Sequence, residues 1–185
     1  MSIFVTSDTH FCHSRSFLYG PRGFESVNEM NEAIIDNWNR VVKPGDTVYH
    51  LGDVMLNDDY KGHDLLGALN GKIYLILGNH DTDNRIKGPA LDTRNIAGIG
   101  FAKRLVFDKY HFFLTHYPTM TANFDYNTSL KQMTINLCGH THTKDRFHDW
   151  NQNPIYHCEL DAHDCTPVSI EEIIEDIKGK WKTKS

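Results

Sequence analysis

Five short motifs along the chain carry the residue types that divalent metal ions bind: Asp8-Thr9-His10, Gly52-Asp53, Gly78-Asn79-His80-Asp81, His116 and Gly139-His140-Thr141-His142. Their donors are carboxylates, imidazoles and one amide oxygen, without a thiolate. That mixed nitrogen and oxygen set suits Mn, Fe, Zn, Ni or Co better than Ca or Mg. Two such ions about 3.5–4 Å apart hold an activated water and clamp phosphoryl oxygens. A carboxylate has to bridge the pair, because its two oxygens neutralise both ions. Asp53, central among the acidic residues of the motifs, is the natural choice. A lone aspartate can be a helix cap and a lone histidine an ordinary polar residue, but five clusters in series imply one site for two-metal hydrolysis.

The elements that must position these residues follow from the pattern around them. Each motif comes directly after β-forming residues: Ile3-Phe4-Val5, Val48-Tyr49-His50-Leu51, Ile73-Tyr74-Leu75-Ile76-Leu77, Phe112-Phe113-Leu114 and Ile135-Asn136-Leu137-Cys138. Open α/β sheets bind ligands outside the carboxyl ends of their strands. A helix is predicted from Ser26, where Ser26 and Glu29 match a capping box. Met30, Ile34, Trp38, Val41 and Val42 form its apolar face, and Pro44-Gly45 ends it. A shorter helix is expected over residues 59–69, so the first half alternates strand and helix and implies a largely parallel sheet. Beyond residue 100, short strands are predicted at 104–107, 110–116, 133–138 and 155–159, with Asp108-Lys109 as a tight hairpin turn. A last helix starts at Ser169, where Glu172 completes another capping box and Ile170, Ile173, Ile174 and Ile177 form a core stripe. This pattern implies a sandwiched α/β domain with two sheets.

In their order and spacing the five motifs, over residues 3–142, resemble those of the calcineurin-like metallophosphoesterases. The D-x-H-F-x-H element at Asp8 to His13, with Tyr49-His50-Leu51-Gly52-Asp53 and the short length, looks like a compact prokaryotic or phage branch. The resemblance implies a four-layer α/β/β/α sandwich with two mixed β-sheets and a dinuclear site. One ion would be held by Asp8, His10, Asp53 and His142, the other by Asp53, Asn79, His116 and His140. His80 would face the phosphate, and Asp81 would orient it. The implied cofactors are two divalent transition metal ions, Mn before Ni, Fe, Zn or Co. The implied reaction is hydrolysis of a small phosphodiester or phosphomonoester, a nucleotide among them, by in-line attack of a metal-activated hydroxide. His80 would stabilise the developing charge or protonate the leaving oxygen.

Composition narrows the alternatives. The 185 residues make one ordinary domain, expected across residues 1–185, with 39% hydrophobic residues and no apolar run near the roughly 20 that a spanning helix needs. Polar Thr6-Ser7-Asp8 interrupts any signal-peptide pattern, so a cytoplasmic protein is expected. A net charge of -5 argues against a broad nucleic-acid surface, and twelve histidines fit a metal site. The four cysteines lack CxxC spacing, and none has arginine six residues later. Cys12 and Cys138 are expected to be core residues. Neither a G-x-S-x-G element nor a phosphate-binding G-x-x-x-x-G-K-[ST] loop is present. A metal-dependent nuclease and a non-catalytic metal-binding scaffold are the alternatives, and a monomer or homodimer is expected.

Several further positions extend the expected site. His13 is close enough in sequence to reach a substrate phosphate, and Arg15 and Arg22 in the following loop could clamp an anion. Residues 119–131, with Met120, Phe124 and Tyr126, follow His116 and could wall the substrate. Asp161 and His163 are given no role. His50, His111 and His157 fall within strands, match no motif position and are expected to be ordinary polar residues.

Overall fold

A computed structural model describes residues 1–57, 59–82, 85, 94–121, 129–148 and 153–183. Sheet one runs β10 (Val168–Ser169), β1 (Ile3–Thr6), β2 (Thr47–His50), β3 (Lys72–Ile76), β4 (Ile96–Gly100), and sheet two runs β5 (Ala102–Phe107), β6 (Tyr110–Thr115), β7 (Thr134–Cys138), β9 (Ile155–His157), β8 (Phe147–His148). In sheet one, β1, β2, β3 and β4 are parallel, and β10 closes one edge antiparallel. In sheet two, β6, β7 and β9 are parallel. Antiparallel β5 and β8 flank them. Both sheets are therefore mixed, as expected. The β5–β6 hairpin turns at Asp108 and Lys109, whose φ values of 44° and 67° suit a two-residue turn.

Alternation along the strands separates two cores. Phe4, Val48, Ile73 and Leu75 face α2 (Val27–Val41) and α3 (Asp59–Gly67), and meet Met30, Ile34, Trp38 and Leu66. Val5, Tyr49, Leu51 and Ile76 face the other way and meet Phe112, Leu114, Ile135 and Leu137 of sheet two. The isoleucine stripe of the last helix, α4 (Ile170–Lys182), joins this second core. Both predicted N-caps form, with Ser26 Oγ accepting from the Glu29 N–H (3.2 Å) and Ser169 Oγ from the Glu172 N–H (3.1 Å). The Glu29 carboxylate, however, takes the Glu25 N–H at 2.8 Å. A short helix, α1 (Ser16–Tyr19), and strands β4, β8 and β10 add to the predicted elements. No described helix is long and apolar enough to cross a membrane.

The sheets meet at their carboxyl ends. A parallel bridge joins Ser7, after β1, to Glu159, after β9. The loops after β1 and β2 are also laced together: the Asp8 N–H donates to the Gly52 carbonyl (2.9 Å) and the His10 N–H to the Asp53 carbonyl (3.0 Å). The five motifs therefore converge on one edge.

Candidate metal centre

Two groups of side chains at this edge each bring their donor atoms within 4.8 Å of one another. Asp8, His10 and His142 form the first, and Asp53, His116 and His140 the second. Asp53 stands between them, its Oδ2 lying 3.6 Å from His10 Nε2 and 3.5 Å from His116 Nε2. Asn79 Oδ1 reaches His116 Nε2 at 2.9 Å and so joins the second group. All seven expected ligand positions are brought together. His80 flanks them, 40% exposed, with Nε2 4.0 Å from Asp53 Oδ2.

The backbone is bent to make this possible. Asp8, His10, Asp53, His140 and His142 all have φ between 46° and 76°, in the left-handed region. Side chains rarely adopt it, and such residues collect at functional sites. Glycines that open two of the motifs allow the close approach. A Cβ at Gly78 would run into Asp53 Oδ1, and one at Gly139 into Ser7 Oγ and Asp8 Oδ2.

The donor set fits metal ions on its hydrogen-bond pattern alone. The Leu51 carbonyl can only accept, so His116 Nδ1 (2.7 Å away) carries the ring proton toward it. His116 Nε2 is then left facing two oxygen acceptors, Asn79 Oδ1 and Asp53 Oδ2. Likewise His142 Nδ1 donates to Asp161 Oδ2 (3.0 Å) and turns Nε2 toward His10 Nε2 (3.2 Å) and Asp8 Oδ1 (3.7 Å). Asp8 Oδ1 is buried without a hydrogen-bond partner. Lone pairs that converge around a buried, unpartnered carboxylate oxygen call for cations. Burial alone would raise the Asp8 carboxyl, but the His10 ring, with Nε2 3.5 Å from Oδ1, and the charge of His142 hold it well below the usual carboxylate range. Burial and the neighbouring His116 lower His140. Burial opposes protonation of His142, yet Asp161 and Asp8 outweigh it and raise the ring above its ordinary value. A metal ion there would compete with protonation of His142.

Other candidate site residues have strong contacts of their own within the protein. Asp81 was expected to orient His80, but its carboxylate accepts from the backbone N–H groups of Asp53 (2.7 Å), Val54 (3.0 Å) and Gly78 (2.8 Å). It ties the second and third motif loops together and leaves the His80 ring to other contacts. Arg22 is no free anion clamp: its side chain is 1% exposed and forks onto Asp161 at 3.0 and 2.7 Å. Its Nη2 also donates to the Asp8 carbonyl (2.8 Å). Arg15 is exposed at the N-cap of α1. His13 is buried with its ring 5.6 Å from that of His10, and burial, then His10, lowers its pKa. Met120 is exposed, while residues 122–128, including Phe124 and Tyr126, lie outside the described residues. Cys12 and Cys138 are buried core residues, as expected.

Residues without a sequence signal complete the site. Asp161 links Arg22 to His142. His50, fully buried, accepts the Gly52 N–H at Nδ1 (3.2 Å) and meets Thr9 Oγ1 at Nε2 (3.0 Å). Thr9 in turn donates to the Val54 carbonyl (2.8 Å), so His50 braces the loops of Asp8 and Asp53. Glu159, also buried, accepts from Thr141 Oγ1 (2.7 Å) and the Thr143 N–H (3.3 Å), and so holds the loop of His140 and His142. His157 Nδ1 stands 3.2 Å from that carboxylate. Tyr117, directly after His116, packs on the second group.

Residues 1–155 match the calcineurin-like phosphoesterase superfamily domain, and the chain belongs to that family. It is 40% identical over 128 residues to the uncharacterized protein MJ1445 of Methanocaldococcus jannaschii. That match takes in 66% of this chain and 64% of the relative, less than two thirds of the latter's length. A solved structure, the protein of unknown function AQ665 from Aquifex aeolicus, superposes with a TM-score of 0.68 at 26% identity. The superposition covers 94% of this chain and 98% of that one.

Proposed function

We propose that the chain is a dinuclear-metal-dependent phosphoesterase acting on a small phosphodiester or phosphomonoester. The observation that carries this is the Asp53 carboxylate, set between two donor groups beside the partly exposed His80. In this reading Asp8, His10, Asp53 and His142 hold one ion, and Asp53, Asn79, His116 and His140 the other. Manganese is the first ion to try. Ions bound there would supply Lewis acidity and a water that loses its proton near neutral pH. Asp53 would be shared by both ions, and Asn79, being neutral, keeps the net charge low enough to admit an anion. His80 presents Nε2 on the open side, where it can neutralise phosphoryl charge or give a proton to the leaving oxygen. Asp81 sets the distance between the loops of Asp53 and Asn79 through its three backbone bonds. His13 stands beside His10 to touch the substrate phosphate.

The test is hydrolysis of an aryl phosphodiester and the matching monoester by metal-stripped protein given Mn²⁺, Ni²⁺ or Zn²⁺. Metal-dependent turnover is expected, and the diester-to-monoester ratio names the substrate class. No turnover in protein that binds two ions would favour a non-catalytic scaffold.

A further inference from the structure

Tyr117 stands half in water beside the second donor group. Its ring lies 4.7 Å from that of His140 and 5.0 Å from that of His116, crossing them at 66° and 74°. It thus touches two candidate ligands of the second group while 49% of the residue stays exposed. Its backbone is nonetheless firmly held. The Tyr117 carbonyl accepts from Thr115 Oγ1 (2.8 Å) and from Thr119 Oγ1 (2.9 Å). Asn136, fully buried, donates to Thr115 Oγ1 (2.8 Å) and to the Phe113 carbonyl (2.8 Å), and its Oδ1 accepts the Thr119 N–H (2.8 Å). One buried amide thereby locks the ends of β6 and β7 and the turn between Thr115 and Thr119. A satisfied buried polar network makes its surroundings rigid, and what this one fixes is the position of an open ring beside the metal-binding imidazoles.

A phosphoryl group bound between the two donor groups would lie against the imidazoles of His116 and His140. A substituent on its ester oxygen, whether an aryl ring directly attached or a base carried farther out on a sugar, extends toward the ring that packs on them. Aromatic rings attract one another at centroid separations of 4.5–7 Å, and base-on-aromatic stacking tolerates any planar base. We infer that Tyr117 is a specificity-determining residue that packs against a planar ring of the substrate. The preferred substrates are then phosphoesters of aryl or nucleoside alcohols rather than of alkyl alcohols. This inference rests on the phosphoesterase reading above. A tyrosine that only shields the imidazoles from water would be replaced without loss by leucine, and the test uses that difference.

Methylphosphonate and phenylphosphonate carry a carbon–phosphorus bond that ester hydrolysis does not cleave, so their binding is measured without turnover. Each is titrated calorimetrically into Mn²⁺-loaded protein, as wild type, Tyr117→Phe and Tyr117→Leu. Wild type is expected to bind phenylphosphonate about five- to tenfold more tightly than methylphosphonate. Tyr117→Phe keeps that preference. Tyr117→Leu brings the ratio to about one while methylphosphonate affinity changes little. A wild-type ratio near one, or a preference that survives in Tyr117→Leu, overturns the assignment of Tyr117 alone. Binding of neither phosphonate to the metal-loaded protein overturns the phosphoesterase reading, and this inference falls with it. Thymidine 5′-phosphonate as a third ligand separates the two sources of a planar ring. Tighter binding than phenylphosphonate identifies nucleotides, and weaker binding simple aryl esters.

Discussion

Replacing Asp161 with asparagine keeps its shape and removes its charge, at a position outside the two donor groups. Asp161 accepts three bonds: from His142 Nδ1 (3.0 Å), Arg22 Nε (3.0 Å) and Arg22 Nη2 (2.7 Å). Burial would raise its carboxyl, but the hydrogen bonds from His142 and Arg22 hold it well below the usual range, so it is a carboxylate throughout the working pH. Two consequences follow and can be measured separately. First, His142 loses the charged acceptor that fixes its tautomer and increases the basicity of Nε2. Loss of such a partner typically weakens metal binding about 10–100-fold, or about 1.4–2.8 kcal/mol. Second, the Arg22 guanidinium is left buried with only neutral acceptors, which costs about 2–3 kcal/mol of stability in metal-free protein. Calorimetric titration of metal-stripped protein with Mn²⁺ should show two steps, of which the one belonging to Asp8, His10 and His142 weakens and the other changes far less. Urea unfolding in the presence of a chelator measures the second effect. The double variant Arg22→Met with Asp161→Leu should recover stability, because an apolar pair replaces a buried ion pair, yet not recover metal affinity. If Asp161→Asn loses stability while both binding steps keep their affinity, Asp161 is a structural residue and the argument from His142 is wrong.

Other residues give shorter tests. His80→Ala should lower turnover about 10²–10⁴-fold with both ions still bound, whereas Asp53→Asn should lose the ions; full activity in His80→Ala would remove it from the reaction. Asp81→Asn should cost about 1–3 kcal/mol in urea unfolding and weaken metal binding, because an amide cannot accept all three backbone bonds. Lost turnover at unchanged stability would instead restore Asp81 as the residue that orients His80. Burial pushes His50 from 6.5 down to about 4, so between those values the unfolded chain takes up a proton that the folded one refuses. Its contribution is complete above pH of about 6.5 and falls by up to about 3 kcal/mol as pH drops to about 4. His50→Asn should flatten that part of the stability profile, and identical profiles for variant and wild type would refute the assignment.

The ligand motifs were legible because each is a contiguous stretch at the end of a strand with a strong apolar signal, and the sheets had only to be laid side by side for the stretches to meet. Strand β4 was not, since alanine and two glycines dilute its pattern to Ile96-Ala97-Gly98-Ile99-Gly100. The supporting residues were illegible for a different reason. Arg22 and Asp161 are 139 positions apart, and nothing local to either says that they form one ion pair. Arg22 looked like an anion clamp because a loop arginine near a metal motif has two possible acceptors, substrate or protein. Only the structure shows that protein carboxylate takes it. For Asp81, adjacency to His80 suggests a partner, while the structure adds three backbone amides from two loops that the sequence does not announce. His50 looked like a strand histidine and is one, but its two ring nitrogens brace both flanking loops.

The left-handed backbone of five candidate ligands explains why the motif residues are so recognisable. Asp8, His10, Asp53, His140 and His142 turn the chain abruptly at a strand end as well as present an atom to the candidate centre. Among residues with side chains, aspartate, asparagine and histidine enter this region several-fold more readily than most. The residue types that ligate are therefore the ones that make the turn least costly, and the two requirements select the same letters. The remaining strain, on the order of 1–3 kcal/mol per residue, has to be opposed by the surroundings. The polar groups behind the site are placed to do so: His50 under the first two loops, Asp81 between the second and third, Arg22 with Asp161 beneath the first and last, and Glu159 behind the last. Weakening any of these should loosen metal binding before it unfolds the chain, because the strained turns are the first segments each of them holds.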